Sequence, residues 1–310
     1  MSKKQFRVRN WSQYNKSLVN RGSLTVWFDE DSIKNWYDDS PTGQQGRPKL
    51  YSDIAILCAL SLRSVFHLTL RSAQGLVMSL IELLNLPISA PDYTTLSRRQ
   101  ETLLVELPHT ARTGVIDLVI ESTGLKIYGE EEWKVRQHGY SKRRTWRKLH
   151  LGINPETHTI EATVVTTNDF QDSEVFSDLL EQVSVELKQV AADGAYDSHA
   201  CYEALEARGA KANIPPREGA KIKTHGNTHS PPNQRDENLR MIRKVGRKKW
   251  KEQSGYHKRS LSETGMSRFK KIFTDKLANR TFENQATEAL IKCRILNIMT
   301  NIGMPISEML

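Results

Sequence analysis

The feature that most constrains the fold is a change of pattern near residue 112. From residue 113 the sequence contains three short runs rich in β-branched residues, TGVIDLVIESTG, KLHLGIN and TIEATVVTTND, each bounded by turn-forming residues. A helical segment over residues 173–185 and a fourth strand, LKQVAADG, follow them. This order predicts an α/β fold, a mixed sheet with helices packed on it. A C-terminal helix, over residues 283–302, is expected to pack on the same sheet.

Residues 1–111 are predicted to form a separate helical region, and residues 112–310 the α/β domain. Ser52 is a suitable N-cap for an apolar helix over residues 53–66. A second helix is predicted over residues 70–84 from its apolar spacing.

A third helix of this region follows the turn-rich sequence LPISAPDY, begins at Thr94 or Thr95, and carries Arg98 and Arg99. Two helices, a turn and a basic helix are typical of a helix-turn-helix, although an ordinary bundle with a solvated basic face gives the same pattern. Ahead of these helices, Arg47 lies in the extended segment GQQGRPK. Such an arm can place arginine in the minor groove of DNA, or can simply be a linker.

The charge of the chain favours a polyanionic partner. Lysine and arginine number 45 against 36 acidic residues, which gives a net charge of +9. Residues 217–250, which are predicted to form a basic loop inserted in the α/β domain, alone hold ten basic and three acidic residues. We expect two basic clusters to bind phosphates, and their members are Lys142, Arg143, Arg144, Arg147 and Lys148 in the first, and Arg243, Lys244, Arg247, Lys248 and Lys249 in the second. Trp146 and Trp250 beside them could stack on a base, but core packing is the commoner role.

The cysteines and the N-terminus suggest a cytoplasmic protein without membrane association. Three cysteines lie far apart, with neither zinc-site spacing nor an even count for disulfides, which fits a reducing compartment. The first residues lack the apolar stretch of a signal peptide. The longest uncharged apolar run, residues 54–62, is about half the roughly 20 residues that span a bilayer.

Two acidic residues are predicted at strand ends, where α/β sheets usually display reactive side chains: Glu121 before Ser-Thr-Gly, and Asp193 in AADGAYD. A third acid lies in a segment whose side chains at three-, four- and seven-residue spacings share one helix face: Tyr256, Arg259, Glu263 and Lys270. Taken alone, that segment is equally a solvated face with an Arg259–Glu263 ion pair.

Together these motifs resemble those of bacterial insertion-sequence DDE transposases, in particular the insertion-sequence-five family. The spacing of Tyr256, Arg259, Glu263 and Lys270 matches the third acidic segment of that family at every position. The stretch VIESTGLKIYGEEEWKVRQHG resembles its first acidic strand, and AADGAYD its second. The resemblance runs from GRPKLYSD to the C-terminal helix and so covers most of the chain.

The resemblance implies an RNase H-like core in which Glu121, Asp193 and Glu263 hold two divalent cations, Mg²⁺ or Mn²⁺. Tyr256, Arg259 and Lys270 are expected beside them, to hold phosphate oxygens or, for Arg259, to pair with a carboxylate. The expected activity is that of a DNA transposase. It binds terminal inverted repeats, hydrolyses DNA to free 3′-hydroxyl ends, and joins them to target DNA as a dimer or larger assembly on the bacterial nucleoid.

One residue departs from the family pattern, because Glu121 stands where the family has aspartate. Its carboxylate lies one carbon–carbon bond, about 1.5 Å, further from the backbone. A misplacement of about 1 Å can cost on the order of a hundredfold in rate, so we expect impaired activity. There are two alternatives. The protein could be a regulator that binds DNA without cleaving it, or a nuclease that cleaves DNA but never joins it. Asp117 cannot replace Glu121, since four strand residues separate them by roughly 13 Å.

Overall fold

The computed structural model describes residues 6–38, 50–109, 114–127, 146–223 and 233–309. They belong to two compact units. Unit 1 comprises residues 1–108 and 279–310, and unit 2 comprises residues 109–278.

Helices and strands are numbered in chain order. The helices are α1 (Trp11–Asn20), α2 (Leu24–Trp27), α3 (Glu30–Lys34), α4 (Asp53–Val65), α5 (Leu70–Leu83), α6 (Tyr93–Gln100), α7 (Phe176–Glu181), α8 (His199–Ala207), α9 (Gln234–Val245), α10 (Arg247–Gln253), α11 (Ser260–Phe273) and α12 (Phe282–Ile302). The strands are β1 (Phe6–Val8), β2 (Ile116–Ile127), β3 (Trp146–Ile153), β4 (Ile160–Thr167), β5 (Leu187–Ala192), β6 (Lys211–Asn213), β7 (Lys276–Leu277) and β8 (Ser307–Met309). Of the helices described, none alone is long and apolar enough to span a membrane, and only α4 and α5 together, bent by 112°, reach that length and apolarity.

Unit 1 confirms the predicted helices α4 and α5 and corrects the start of α6. The hydroxyl of Ser52 accepts a hydrogen bond from the Ala55 amide and caps α4. At α6 the cap is Asp92, not Thr94 or Thr95. Its carboxylate accepts from the amides of both threonines, at 2.8 and 3.0 Å. A carboxylate is the stronger acceptor and also suits the positive end of the helix dipole, so it takes the capping position.

The long helix α12 belongs to unit 1, where it packs on α4 and α6. Gln100 at the end of α6 donates from Nε2 to the carbonyl of Asn284, at 2.9 Å. The expectation that this C-terminal segment packs on the sheet was therefore wrong. Because the apolar positions of α12 lie all around the helix, the sequence indicates that it is buried on several sides. The sequence does not indicate which elements pack against it.

Unit 2 is built on a six-stranded mixed sheet of order β4-β3-β2-β5-β6, in which β7 also pairs with β2. Strands β2, β3 and β4 are antiparallel neighbours, whereas β5 runs parallel to β2 and β6 parallel to β5. The three strands, the helix and the fourth strand predicted from the sequence are all present. Such a sheet is consistent with an RNase H-like core.

The two faces of this sheet are covered differently. One face holds an apolar core in which Leu118 and Ile120 of β2 contact buried residues of α7 and α8. On β3, Ile153 meets α11 at Gly265, where an added Cβ would lie only 2.7 Å from the Ile153 Cδ1 atom. Any larger residue would require the Ile153 side chain to move, and this glycine lies two residues after Glu263 on the same helix.

A buried histidine of β3 makes the stability of unit 2 depend on pH. His150 is fully buried, and its Nε2 atom lies 3.0 Å from the Thr166 hydroxyl. Burial lowers the pKa of His150 from 6.5 to about 4, with Lys148 acting in the same direction and Asp172 against it. The imidazole is therefore neutral in the folded protein at pH values where the unfolded chain is already protonated.

We expect the free energy of unfolding to fall by about 2–3 kcal/mol as pH drops from about 6.5 to 4, because the unfolded state binds the proton first over this range. Urea unfolding at several pH values measures this slope. His150→Asn should remove most of it, whereas His257→Asn, at an exposed histidine, should not. Equal slopes in wild type and His150→Asn would contradict the assignment.

Candidate active site

Glu121 and Asp193 lie side by side because β2 and β5 are parallel. In the register of this pair Ile120 is opposite Ala192, and Glu121 and Asp193 are the residues that follow them. Strand β5 ends at Ala192, and Asp193 begins the turn that follows. The predicted position of Asp193 is confirmed.

The prediction that Glu121 ends its strand was wrong. Strand β2 continues to Ile127, held by antiparallel pairing with β3. Glu121 instead lies where β2 loses β5 as its neighbour, at the same level as Asp193. Glu121 therefore lies at an edge of the pairing with β5 because β5 is the shorter strand, and not because β2 ends there.

The spacing of the third acidic segment predicted a single helix, and this prediction was wrong. Tyr256 and Arg259 belong to a 3₁₀ helix, Tyr256–Arg259, and α11 begins only at Ser260. Arg259 has ordinary right-handed helical backbone angles, so the chain passes from one helix into the other without a break. Glu263 lies in the first turn of α11, where the helix dipole favours an acidic side chain.

Arg259 connects two of the three acids. One guanidinium nitrogen, Nη1, bonds the Glu121 carboxylate, and the other, Nη2, donates to the Glu263 carboxylate at 2.9 Å. Glu121 is mostly buried, with 11% of its side chain exposed, while Glu263 is 58% exposed. The ion pair between Arg259 and Glu263 that was the simpler interpretation of the sequence is present, and it extends to the first acid.

Tyr256 has all three acids within electrostatic range. Burial raises the pKa of its phenol, the Arg259 guanidinium lowers it, and Asp193, Glu121 and Glu263 each raise it. The ring packs beside Trp250, whose indole is buried, so both side chains have the packing role that was one of their alternatives. Lys270 is exposed two turns along α11 from Glu263. The hydrogen bond from Lys126 is the main reason that the pKa of Asp275 is lowered, and the charge of Lys270 adds to it.

The donor chemistry fits a hard divalent cation, since all three acids offer carboxylate oxygens. Within the described ranges, no three acidic, histidine or cysteine side chains are arranged to hold a metal ion. Arg259 lies between Glu121 and Glu263 instead. The positive charge of Arg259 thus compensates two of these carboxylates, and Glu121, Asp193 and Glu263 are the residues that could supply oxygen ligands to a divalent cation.

Two of the predicted DNA-binding residues have partners inside the protein. Arg99 is 8% exposed and donates to the Tyr51 carbonyl at 2.7 Å and to the Asp53 carboxylate, so its predicted role in reading bases is corrected to a structural one. Lys148 donates to Asp172 at 3.0 Å and to the Phe170 carbonyl at 2.7 Å, which likewise ties it to the fold.

The other predicted DNA-binding residues fall into two groups. The exposed or half-exposed ones are Arg98 on α6, Arg147 on β3, and Arg243, Lys244, Arg247, Lys248 and Lys249 around the turn between α9 and α10. That turn is made by Gly246, whose φ of 84° favours glycine. Arg47, Lys142, Arg143 and Arg144 lie outside the described residues. Much of residues 217–250, expected to be a loop, is helical.

Sequence reasoning missed two buried acids near the site. Asp172 accepts a hydrogen bond, at 2.7 Å, from the hydroxyl of Ser122, which is the residue after Glu121. Asp197, whose side chain is 1% exposed, pairs with Arg235. The only available signal for Asp197 was its place four residues after Asp193, and nothing local indicated a partner 38 residues away.

Comparison with known proteins gives one consistent family. Residues 115–298 match a family model described as "Transposase DDE domain", and residues 19–130 match a second model with the same description. Among solved structures, the Drosophila P element transposase strand transfer complex is similar with 12% identity and a TM-score of 0.29, over 59% of this chain and 42% of that chain. The chain thus spans less than half the length of that protein.

We expect Arg259→Gln to bind Mn²⁺ roughly tenfold more tightly than wild type in the absence of DNA. The guanidinium competes with a cation for Glu121 and Glu263, and breaking its charge-assisted bonds costs on the order of 1–3 kcal/mol. Titration calorimetry measures the affinity. Lys258→Gln is the matched control, because it removes a neighbouring cation that pairs instead with Asp117. Weaker Mn²⁺ binding by Arg259→Gln would show that Arg259 supports the site rather than competes for it.

Proposed function

Because the chain belongs to the family of DDE transposases, we propose that it is a DNA transposase of the insertion-sequence-five type. It binds the terminal inverted repeats of its element, cleaves DNA to free 3′-hydroxyl ends, and joins those ends to target DNA. DDE transposase domains use divalent metal ions. We propose Mg²⁺, or Mn²⁺ in its place, with two ions per site.

The observation that carries this proposal is the register of β2 and β5, which brings Glu121 level with Asp193, while Arg259 ties Glu263 to the same place. Phosphodiester cleavage needs an activated attacking oxygen, a stabilised leaving oxygen and neutralisation of the phosphate, and bound divalent cations supply these. The three carboxylates hold that charge in position. Arg259, once its carboxylates are neutralised, holds a phosphate oxygen with its fork of donors. Lys270 serves as a point charge further along α11. Tyr256 packs beside Trp250, with the Arg259 guanidinium 5.7 Å from the centre of its ring.

DNA is bound in this proposal by exposed cations of both units. Arg98 on α6 reads the element end from a helix-turn-helix formed by α4, α5 and α6, with Arg47 in the adjacent minor groove. The exposed cations around Gly246 hold backbone phosphates, together with Lys142, Arg143, Arg144 and Arg147.

The oligomeric state and the cellular location proposed here follow from what such a reaction requires. An element has two ends that must be joined, so we propose a dimer or larger complex on paired ends. The reaction takes place on bacterial DNA in the cytoplasm.

The presence of Glu121 at the first acidic position supports the proposal that activity is reduced. Its longer side chain places the carboxylate about 1.5 Å further from β2 than aspartate does, and this carboxylate bonds Arg259. A DNA-binding regulator without chemistry is the second candidate, favoured by this residue alone.

Replacing either of the other two acids should separate chemistry from recognition. Asp193→Ala and Glu263→Ala should each abolish strand cleavage and joining while leaving affinity for the terminal repeats nearly unchanged, because neither carboxylate is expected to contact bases. Cleavage of labelled repeat DNA and its mobility on gels measure the two properties.

Glu121→Asp should raise Mg²⁺- or Mn²⁺-dependent cleavage by about a hundredfold, the order of the misplacement cost. The matched control is Glu156→Asp, an equally conservative change at an exposed glutamate of unit 2. Unchanged or lower activity of Glu121→Asp with both metals would exclude the displaced-ligand interpretation and favour the regulator.

Arg98→Ala should weaken binding of the terminal repeats by about 1–3 kcal/mol, the value of a good contact to a base pair, without changing stability. The neighbouring Arg99→Ala provides the contrast. It removes a buried side chain and its two bonds, so it should lower the free energy of unfolding by about 1–3 kcal/mol. Footprinting and urea unfolding of both variants measure these effects, and unchanged repeat binding by Arg98→Ala would refute its recognition role.

A further inference from the structure

The turn that carries Asp193 contains two acids with different environments. Asp193 caps a 3₁₀ helix, Gly194–Tyr196, and its carboxylate accepts from the Ala195 amide at 2.8 Å. Asp197 closes the same turn, with its amide 3.3 Å from the Gly194 carbonyl. The orientation of the Asp193 carboxylate therefore depends on how firmly this five-residue turn is held.

Asp197 holds one end of the turn through a buried ion pair. Arg235, in the first turn of α9, donates from Nε and Nη2 to the two carboxylate oxygens of Asp197, at 2.7 and 3.1 Å. Only 1% of the Asp197 side chain and 12% of the Arg235 side chain are exposed. The hydrogen bonding of Arg235 to the Asp197 carboxylate is the main reason that the pKa of Arg235 is raised. A bidentate pair of this kind fixes geometry as well as charge.

Arg217 holds the middle of the turn. Its backbone amide donates to Asp197 at 2.9 Å, and its guanidinium donates to the carbonyls of Gly194 and Ala195, at 3.1 and 3.2 Å. Arg217 and Arg235 both belong to the basic residues 217–250. These two cations of that segment thus hold the turn of Asp193, Arg235 at its end through Asp197 and Arg217 at its middle through the two carbonyls.

We propose that Asp197 is a positioning residue for Asp193, and that Arg217 and Arg235 complete this role by anchoring the basic segment to the turn. Asp197 does not touch the cation or the DNA. It acts by fixing the backbone from which Asp193 projects, as residues behind a metal ligand fix its orientation. The proposal rests on the proposed function, because it takes Asp193 as a ligand for a divalent cation.

The test uses Asp197→Asn, which keeps the shape of the side chain and removes its charge, in the full-length protein. We expect amide hydrogen exchange in a peptide spanning residues 193–197 to become at least tenfold faster. The affinity for Mn²⁺ alone, measured by titration calorimetry, should fall by about 10- to 100-fold, the usual effect of removing a partner of a metal ligand. Arg235→Gln should have the same effect, and combining it with Asp197→Asn should add little.

Three further variants separate positioning from general loss of stability. Arg217→Ala removes only the bonds to the two turn carbonyls, leaves the buried pair intact, and should weaken Mn²⁺ binding severalfold even where Asp197→Asn fails to fold. Glu237→Gln breaks an exposed pair with Arg240 on the same helix and should change nothing. Leu60→Ala destabilises the core of unit 1, to which the turn does not belong, and should lower the thermal midpoint without changing Mn²⁺ affinity.

Unchanged exchange in the turn of both Asp197→Asn and Arg217→Ala would overturn the proposal, and so would faster exchange with unchanged Mn²⁺ affinity. Failure of the proposed function gives a different result. Wild type would then bind no Mn²⁺, or bind it equally well as Asp193→Ala, while the exchange measurement would still decide whether Asp197 holds the turn.

Discussion

Negative charge concentrated at one level of the sheet is the constraint on which the site depends. Two like charges about 5 Å apart repel by roughly 3 kcal/mol at an effective dielectric constant of about 20, so carboxylates gathered by strand register need compensation. Arg259 provides it for Glu121 and Glu263 from the start of α11. Glu263 lies one helical turn from Arg259, whereas Glu121 is reached across to the sheet.

Much of this arrangement was predictable because its signals are local. The β-branched runs and the helical apolar spacing depend on neighbouring residues, and the strands and helices that they predict are present in the structure close to their predicted bounds. The Tyr256-to-Lys270 pattern is also helical, but it is divided between a 3₁₀ helix and α11. The acids Glu121, Asp193 and Glu263 were identified from motif resemblance. What brings Glu121 level with Asp193 is the parallel pairing of β2 and β5, which no local pattern specifies.

The partners of charged side chains were not predictable, because they lie far apart in sequence. Arg259 and Glu121 are separated by 138 residues, and Arg99 and Asp53 by 46. Arg98 and Arg99 are adjacent and chemically identical, yet one is exposed and the other is buried against Tyr51 and Asp53. A helix turns by about 100° per residue, so neighbours face different surroundings, and only the packed structure distinguishes a DNA contact from a structural pair.

Glu121 combines two effects that differ in their dependence on cation concentration. Under the proposed function, the methylene that distinguishes Glu121 from the aspartate of the family pattern moves the carboxylate, and this effect would persist however much cation is bound. The bond of Glu121 to Arg259 would instead oppose cation entry, and an opposing bond of that kind is overcome by mass action when the cation concentration is high enough. A defect that disappears at saturating Mn²⁺ therefore comes from the ion pair, whereas one that remains at saturation comes from the length of the side chain.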